Sequence, residues 1–553
     1  MLPTDLPERL NAAEVFVGVH MDEGRAEKTA ILCDGEAVSY GQLYERINRL
    51  GGALLELDVR PEERVAFLLP DSPAWAYVFF GAMKIGAVAV PLNTLLAPKD
   101  YEYLLNDSRA RVLVVHESLW AQICPIRDRL RYIKHVVVAG AKGRNSPRPP
   151  AGEGPGGRAA GTEIKSNGGQ AFCLHELMER ASPALTPFDT SKDDAAFWLY
   201  SSGSTGAPKG AIHLHHDMIV QARLYAQKTL GLSSSDVSFS VAKLFFAYGL
   251  GNGLYFPLGT GGTTILLPDR PVPEKVFEII DRYQPTVLYS VPTSYVGLLS
   301  EAAKSGRTSL GRVRMCVSAG ETLPRYVFLR WQERFQVEIL DGIGSTEILH
   351  IFISNRPGVA KPGSTGRVVD GYEAKIVDDD GRPLPAGEVG TLMIRGESVA
   401  AGYWNKHEAT KKTFCGEWIN THDKFMVDQD GYFWYAGRTD DMMKVSGQFV
   451  WPTEVEGILQ GHPAVLESGV TGAADDTGLL KPVAFVVLAD GREPSPELAH
   501  ELQDFVKRNT ARHKYPRAVI FVDSLPKTAT GKIKRFELRE RAAADGVLRA
   551  QRR

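Results

Sequence analysis

The chain has 553 residues, which at about 100–200 residues per domain allows roughly three to five folding units. Sixty-four basic against sixty-six acidic side chains leave a formal charge of −2, which argues against a cationic surface built for nucleic acid or anionic lipid. The hydrophobic fraction of 44% and charged fraction of 24% are those of a globular protein and exclude wholesale disorder, collagen and coiled coil.

The N-terminus, MLPTDLPERLNAAEVFV, carries early acids and no uninterrupted apolar core, so it does not read as a signal peptide. From position 64 onward short apolar runs alternate with helical periods. Strands are predicted at 65–69, 87–90 and 112–115, and helices at 72–84 and 98–106. The apolar stretch 74–92 is broken by Lys84 and flanked by Pro73 and Pro91, which suits a buried helix and strand rather than a membrane span. Strand–helix alternation predicts a parallel sheet covered by helices. The rhythm returns at 276–283, 286–290, 294–303 and 313–318, predicting a second α/β layer.

Between 139 and 170 the texture changes to AGAKGRNSPRPPAGEGPGGRAAGTEIKSNGGQ. Its lack of bulky apolar residues predicts an exposed, flexible insertion. Crowded turn signals (DDDG, PAG, DQDG) between β-rich runs predict an antiparallel region over about 363–435. A small α+β unit, with a helix near 496–509, is expected to follow a boundary at Asp440. The expected fold is α/β: an N-terminal domain over 1–439 and a C-terminal domain over 440–553. Five scattered cysteines with no C-x-x-C read as reduced thiols of a cytoplasmic protein.

The chemistry concentrates in a few motifs. Tyr200-Ser201-Ser202-Gly203-Ser204-Thr205-Gly206-Ala207-Pro208-Lys209-Gly210 follows an apolar strand at 195–199. Its glycines, hydroxyls and lysine suit a loop that wraps phosphate. The spacing matches neither G-x-x-x-x-G-K-[ST] nor G-x-S-x-G. Asp341-Gly342-Ile343-Gly344-Ser345-Thr346-Glu347 offers a hydroxyl and a carboxylate for a phosphate-bound Mg2+. Thr421-His422-Asp423 and Gly437-Arg438 offer an acceptor and a planar donor for a ribose. Near the end, Pro526-Lys527-Thr528-Ala529-Thr530-Gly531-Lys532 places a lysine on a glycine turn. The histidines of AIHLHHDM (His213, His215, His216) invite a metal reading that no second ligand cluster supports. A helix is expected to start in that segment.

In order and spacing these motifs resemble the acyl- and aryl-CoA synthetases of the adenylate-forming superfamily, over nearly the whole chain. The resemblance implies that a carboxylate and ATP give an acyl-adenylate and pyrophosphate, and that CoA thiol then displaces AMP. It implies that Ser201, Ser202, Gly203, Ser204, Thr205, Gly206 and Lys209 cradle the β- and γ-phosphates. Thr346 would contact the α-phosphate and Glu347 would hold Mg2+. Gly320, Glu321, Asp341 and Ile343 would line the adenine slot, Ile343 standing where many members carry an aromatic. Asp423 and Arg438 would bind ribose. Lys532 would bridge substrate carboxylate and α-phosphate, because two anions approach there and need a fixed cation. Asp440 would be a hinge on which the small domain turns, withdrawing Lys532 and bringing Lys444 and Gly447 to a pantetheine channel.

Two segments are positioned to select the acid: Lys243 to Gly251 continuing to Phe256, and Gly344 with Ile348 to Ile351. Aromatic walls with a glycine gap suit a small planar ring. Both resemble benzoate-CoA ligases, which implies that Ala247, Tyr248, Phe256, Gly344, His350 and Ile351 surround the ring. The expected activity is benzoate-CoA ligase, with ATP, Mg2+ and CoA, in the breakdown of aromatic acids. A ligase for hydroxy- or aminobenzoate and an enzyme loading a carrier protein are the alternatives. A nucleotide sensor without catalysis conflicts with intact Lys209, Glu347, Asp423, Arg438 and Lys532. Small-molecule partners are expected, with no nucleic acid or membrane, and a homodimer is left open.

Overall fold

The computed structural model describes residues 5–140, 170–201, 207–438, 441–445, 448–475, 478–489, 491–527 and 533–544. Residues 141–169 of the expected insertion, and Asp440, the expected hinge, lie outside them.

Two large sheets form the bulk of the molecule, as the repeated strand–helix rhythm predicts. The first has seven strands in the order Gln170–Cys173, His135–Ala139, Val112–His116, Arg64–Leu68, Val88–Pro91, Ala195–Ser201 and Lys209–Leu214. All neighbours are parallel except the last pair. The second has nine strands. Six parallel ones (Ile339–Gly344, Met315–Ser318, Val287–Ser290, Val237–Ser240, Thr263–Leu266 and Thr29–Cys33) are flanked by antiparallel edge strands. Central strands such as Val88–Pro91 and Met315–Ser318 are buried at every position, because helices cover both faces of a parallel sheet.

Proline fixes several helix starts, since its missing N–H costs nothing in the first turn: Pro73–Lys84, Pro98–Ser108, Pro273–Tyr283 and Pro292–Ser305. The main core lies between the two sheets and includes Phe67, Trp75, Phe79, Phe197, Tyr289 and Leu340. Lys84, which interrupts the apolar run, is fully buried yet paired with Glu14 at 2.6 Å and sits 3.9 Å above the Tyr44 ring. Such pairing is what makes a buried ammonium tolerable.

The expected antiparallel region is a five-stranded sheet built from Glu373–Val377, Val389–Arg395, Phe414–Cys415, Trp418–Val427 and Phe433–Arg438. After it come the hairpin Met443–Val445 and Gln448–Val450, a three-stranded sheet (Val465–Ala474, Leu480–Leu488, Ala518–Phe521) and the helices Pro452–Gln460, Pro496–Asn509 and Arg535–Ala544. This last unit has its own core around Val455, Val470, Val486 and Leu502.

Candidate active site

The phosphate motif joins two antiparallel strands, Ala195–Ser201 and Lys209–Leu214, whose register sets Ser201 opposite Lys209. The two residues stand at the mouth of the loop; Ser202, Gly203, Ser204, Thr205 and Gly206 between them lie outside the described residues. The helix expected to start within AIHLHHDM begins there, at His215. Residues 209–214 form a strand because they complete the sheet edge, with Ala211 and His213 buried. That edge is covered in turn by a segment from the β-rich region. Ala401 N–H donates to the Ile212 carbonyl at 2.9 Å, Ile212 N–H to Gly402 at 3.0 Å and Trp404 N–H to Gly210 at 2.9 Å.

The second motif leaves the nine-stranded sheet at the end of Ile339–Gly344. It turns through the short 3₁₀ segment Thr346–Ile348 and returns as Ile351–Ser354, with Gly344 opposite Ile351. The turn's carbonyls are all held. His213 Nε2 lies 2.8 Å from the Thr346 carbonyl, and its Nδ1 lies 2.8 Å from Asp217. Ala400 N–H donates to Glu347 O at 2.8 Å. Ser398 Oγ and Gln221 Nε2 donate to Ile348 O at 2.9 and 3.1 Å. Leu349 sits at φ 73°, a conformation a branched residue adopts only when its surroundings enforce it. The histidines that suggested a metal are therefore structural: His213 braces Thr346, and His215 accepts from Ala12 N–H at 3.1 Å.

This scaffold brings Glu347 to Ser201, at the end of the strand that leads into the expected phosphate loop. Its Oε1 accepts from Ser201 Oγ at 3.3 Å and from the Tyr403 hydroxyl at 2.7 Å. Lys209 Nζ stands 4.6 Å above the Tyr403 ring. Among the described residues no three histidines, cysteines or carboxylates cluster as a metal cage. A single carboxylate with one oxygen uncommitted nevertheless suits Mg2+, which is usually held by one or two carboxylates plus substrate phosphates.

Around the expected adenine slot, Gly320 has φ +91°, a left-handed conformation favouring glycine. Glu321 Oε2 accepts from Thr293 Oγ1 at 2.9 Å. Asp341 is buried, and burial raises its carboxyl well above the usual carboxylate range. Ile343 is half-buried at the strand end. Asp423 and Arg438 face each other across Trp418–Val427 and Phe433–Arg438, Oδ1 to Nε at 3.6 Å.

The residues of the expected ring wall lie on the other side of the same turn. Ala247, Tyr248 and Gly344 keep open surface, whereas Phe256, His350 and Ile351 are buried. Phe256 and Ile351 belong to the core against which Ala247 and Tyr248 pack. Tyr248's hydroxyl lies 3.1 Å from the Ser290 carbonyl and 3.0 Å from that of Val317. His350 packs among Phe256, Tyr248 and Tyr225, with ring centroids at 4.5, 5.5 and 5.5 Å, and its Nε2 lies 3.1 Å from the Tyr248 carbonyl. Burial lowers its pKa to about 3, so the ring is neutral. A Cβ on Gly344 would lie 2.5 Å from the His350 carbonyl oxygen; the hairpin closes only with glycine there.

Lys532 and Gly447 lie outside the described residues. Lys527 and Ile533 pair as an antiparallel bridge on either side of the former, and Lys444 lies on the strand Met443–Val445. Sequence reasoning missed Tyr403, Gln221 and Ser398, and weighed His213 only as a metal candidate. The one trace of Tyr403 in the sequence is the Gly402-Tyr403-Trp404 turn, which says nothing of its partners.

The signature of the AMP-binding enzyme family matches residues 20–404, and that of the AMP-binding enzyme C-terminal domain matches 454–532. The chain is 46% identical to a benzoate–CoA ligase of Thauera aromatica over 97% of its length and 96% of that protein's. It is 40% identical to a 4-hydroxybenzoate–CoA/benzoate–CoA ligase of Rhodopseudomonas palustris, over 96% and 94%. Among solved structures, an anthranilate CoA ligase in complex with anthranoyl-AMP superposes with a TM-score of 0.89 at 42% identity, over 98% of this chain and 99% of that one. A benzoate CoA ligase from Burkholderia xenovorans gives 0.84 at 43%, over 96% and 100%. With both domain signatures matched and such relatives spanning almost its full length, the chain belongs to the adenylate-forming superfamily of AMP-binding enzymes.

Proposed function

We propose that the protein is an aryl-acid CoA ligase whose first substrate is benzoate. One observation supports the reading: Gly344, Thr346 and Glu347 share a single hairpin turn, and His350 on that turn reaches the Tyr248 carbonyl at 3.1 Å. A flat acid seated on the expected wall of Gly344 and Tyr248 would point its carboxylate toward the α-phosphate of a nucleotide held by Ser201 and Lys209. The similarity to ligases of benzoate, hydroxybenzoate and anthranilate supports the same class.

In the first step a benzoate oxygen attacks the α-phosphorus and the bond to pyrophosphate breaks. In the second, the CoA sulfur attacks the acyl carbon, its proton leaves to solvent, and AMP departs with the oxygen that joined it to benzoate. Lys209 and Ser201 would bind and orient the triphosphate, and Thr346 the α-phosphate. Glu347 would hold Mg2+, which when bound neutralises phosphate charge. Asp423 and Arg438 would fix the ribose, and Lys532 would offset the repulsion between carboxylate and α-phosphate. The C-terminal domain, turning about Asp440, would exchange Lys532 for Lys444 and Gly447 between steps.

An uncharged aromatic wall with a neutral histidine behind it favours an unsubstituted ring over a charged one. The test is pyrophosphate release over benzoate, its hydroxy, amino and halo derivatives, cinnamate and short fatty acids, with free CoA or a phosphopantetheinyl carrier as acceptor. Benzoate with free CoA should give the highest kcat/KM. Turnover with short fatty acids alone, or transfer to the carrier alone, would reject the assignment.

A further inference from the structure

We propose that Tyr403 is a positioning residue that orients the metal-binding carboxylate of Glu347 and the phosphate-loop ammonium of Lys209 together; this rests on the roles proposed above for those two residues. The tyrosine lies 56 positions from Glu347 yet donates its hydroxyl to Glu347 Oε1 at 2.7 Å, while its ring carries Lys209 Nζ at 4.6 Å from the centroid.

The geometry assigns each carboxylate oxygen a task. Oε1 accepts two hydrogen bonds, from Tyr403 and Ser201. Among the described residues Oε2 has no hydrogen-bond donor, which leaves one oxygen for a hard cation that takes its remaining ligands from phosphate and water. Fixing the unused oxygen of a metal-binding carboxylate orients the other, as partners behind first ligands generally do. The cation–ring contact keeps the lysine beside the strand mouth instead of letting it fold onto Glu347.

Tyr403 is itself held firmly. It is 7% exposed and packs with Ala211 and Ala400. Its ring meets Phe414 edge-on at 5.3 Å, and its N–H donates to Thr410 Oγ1 at 3.1 Å.

The test uses the full-length enzyme with Mn2+ as the metal probe and a non-hydrolysable ATP analogue, reading free Mn2+ by electron paramagnetic resonance. Tyr403→Phe keeps the ring and the packing. It should weaken Mn2+ binding in the analogue complex by about 10-fold, leave metal-free analogue binding unchanged, and recover pyrophosphate release at saturating Mg2+, a rescue that a packing defect would not allow. Tyr403→Leu should in addition weaken metal-free analogue binding by about 3-fold, through loss of the ring face under Lys209. Wild-type Mn2+ affinity in Tyr403→Phe, with the loss confined to Glu347→Gln, would overturn the role of Tyr403 and leave the metal assignment standing. Wild-type Mn2+ affinity in Glu347→Gln would overturn both.

Discussion

The phosphate half of the site joins segments distant in the chain through individual polar atoms, with Ser201 and Glu347 146 positions apart. The ring half, one turn away on the same hairpin, is held by packed aromatic faces and close backbone contacts around His350 and Gly344. The contrast teaches where each kind of change should act. Losing one atom from the phosphate half should remove rate while keeping the choice of acid. Changing volume in the ring half should alter which acid binds while leaving the nucleotide chemistry in place.

The largest effect should come from the phosphate side. Lys532→Ala is expected to lower adenylate formation by about 10²–10³-fold, the size of a lost electrostatic stabiliser, while thioester formation from supplied benzoyl-adenylate is largely spared. Equal losses in the two half-reactions, measured by stopped-time assays of pyrophosphate and benzoyl-CoA, would contradict the exchange of residues between steps.

Next in size, Tyr248→Ala removes part of the open wall and should raise KM for benzoate by roughly 10–100-fold, the value of burying an aromatic ring, with KM for ATP little changed. A defect confined to ATP would break the division between the halves.

A smaller effect separates them by pH. His350 is neutral in the fold, with its pKa lowered by burial to about 3 against 6.5 for the free side chain. Between those values the unfolded chain binds the extra proton, so this group's stability contribution is intact above about pH 6.5 and declines as pH falls toward 3. At pH 5 the loss is about 2 kcal/mol. The urea-unfolding advantage of the wild type over His350→Gln should therefore shrink by that amount between pH 7.5 and pH 5. A constant gap would mean that His350 already titrates normally and is not sealed behind the wall.

The same division explains what could be read from the sequence. Parallel strands buried on both faces leave unbroken apolar runs, and proline marks the helix starts, so both α/β layers and the helix Pro496–Asn509 were visible. The proposed phosphate residues could be picked out because glycines, hydroxyls and a lysine stand together in one stretch, of which the described residues include Ser201 and Lys209 but not 202–206. The strand Lys209–Leu214 was not visible, since its three-histidine neighbourhood looks polar until His213 is seen buried between Asp217 and the Thr346 carbonyl. Tyr403 was invisible because its partners come to it through edge pairing with residues about 190 positions earlier, an event with no local signature. Nor could a contiguous aromatic run say that Tyr248 would face the opening and Phe256 the core.

The most direct test follows the oxygen atoms. With benzoate labelled with ¹⁸O in both carboxylate positions, one turnover with ATP and CoA should deliver one labelled oxygen to the phosphate of AMP, none to pyrophosphate, and leave one in benzoyl-CoA. AMP free of label, or label appearing in orthophosphate alongside ADP, would contradict attack of the aryl carboxylate on the α-phosphorus and with it the assignment of the site.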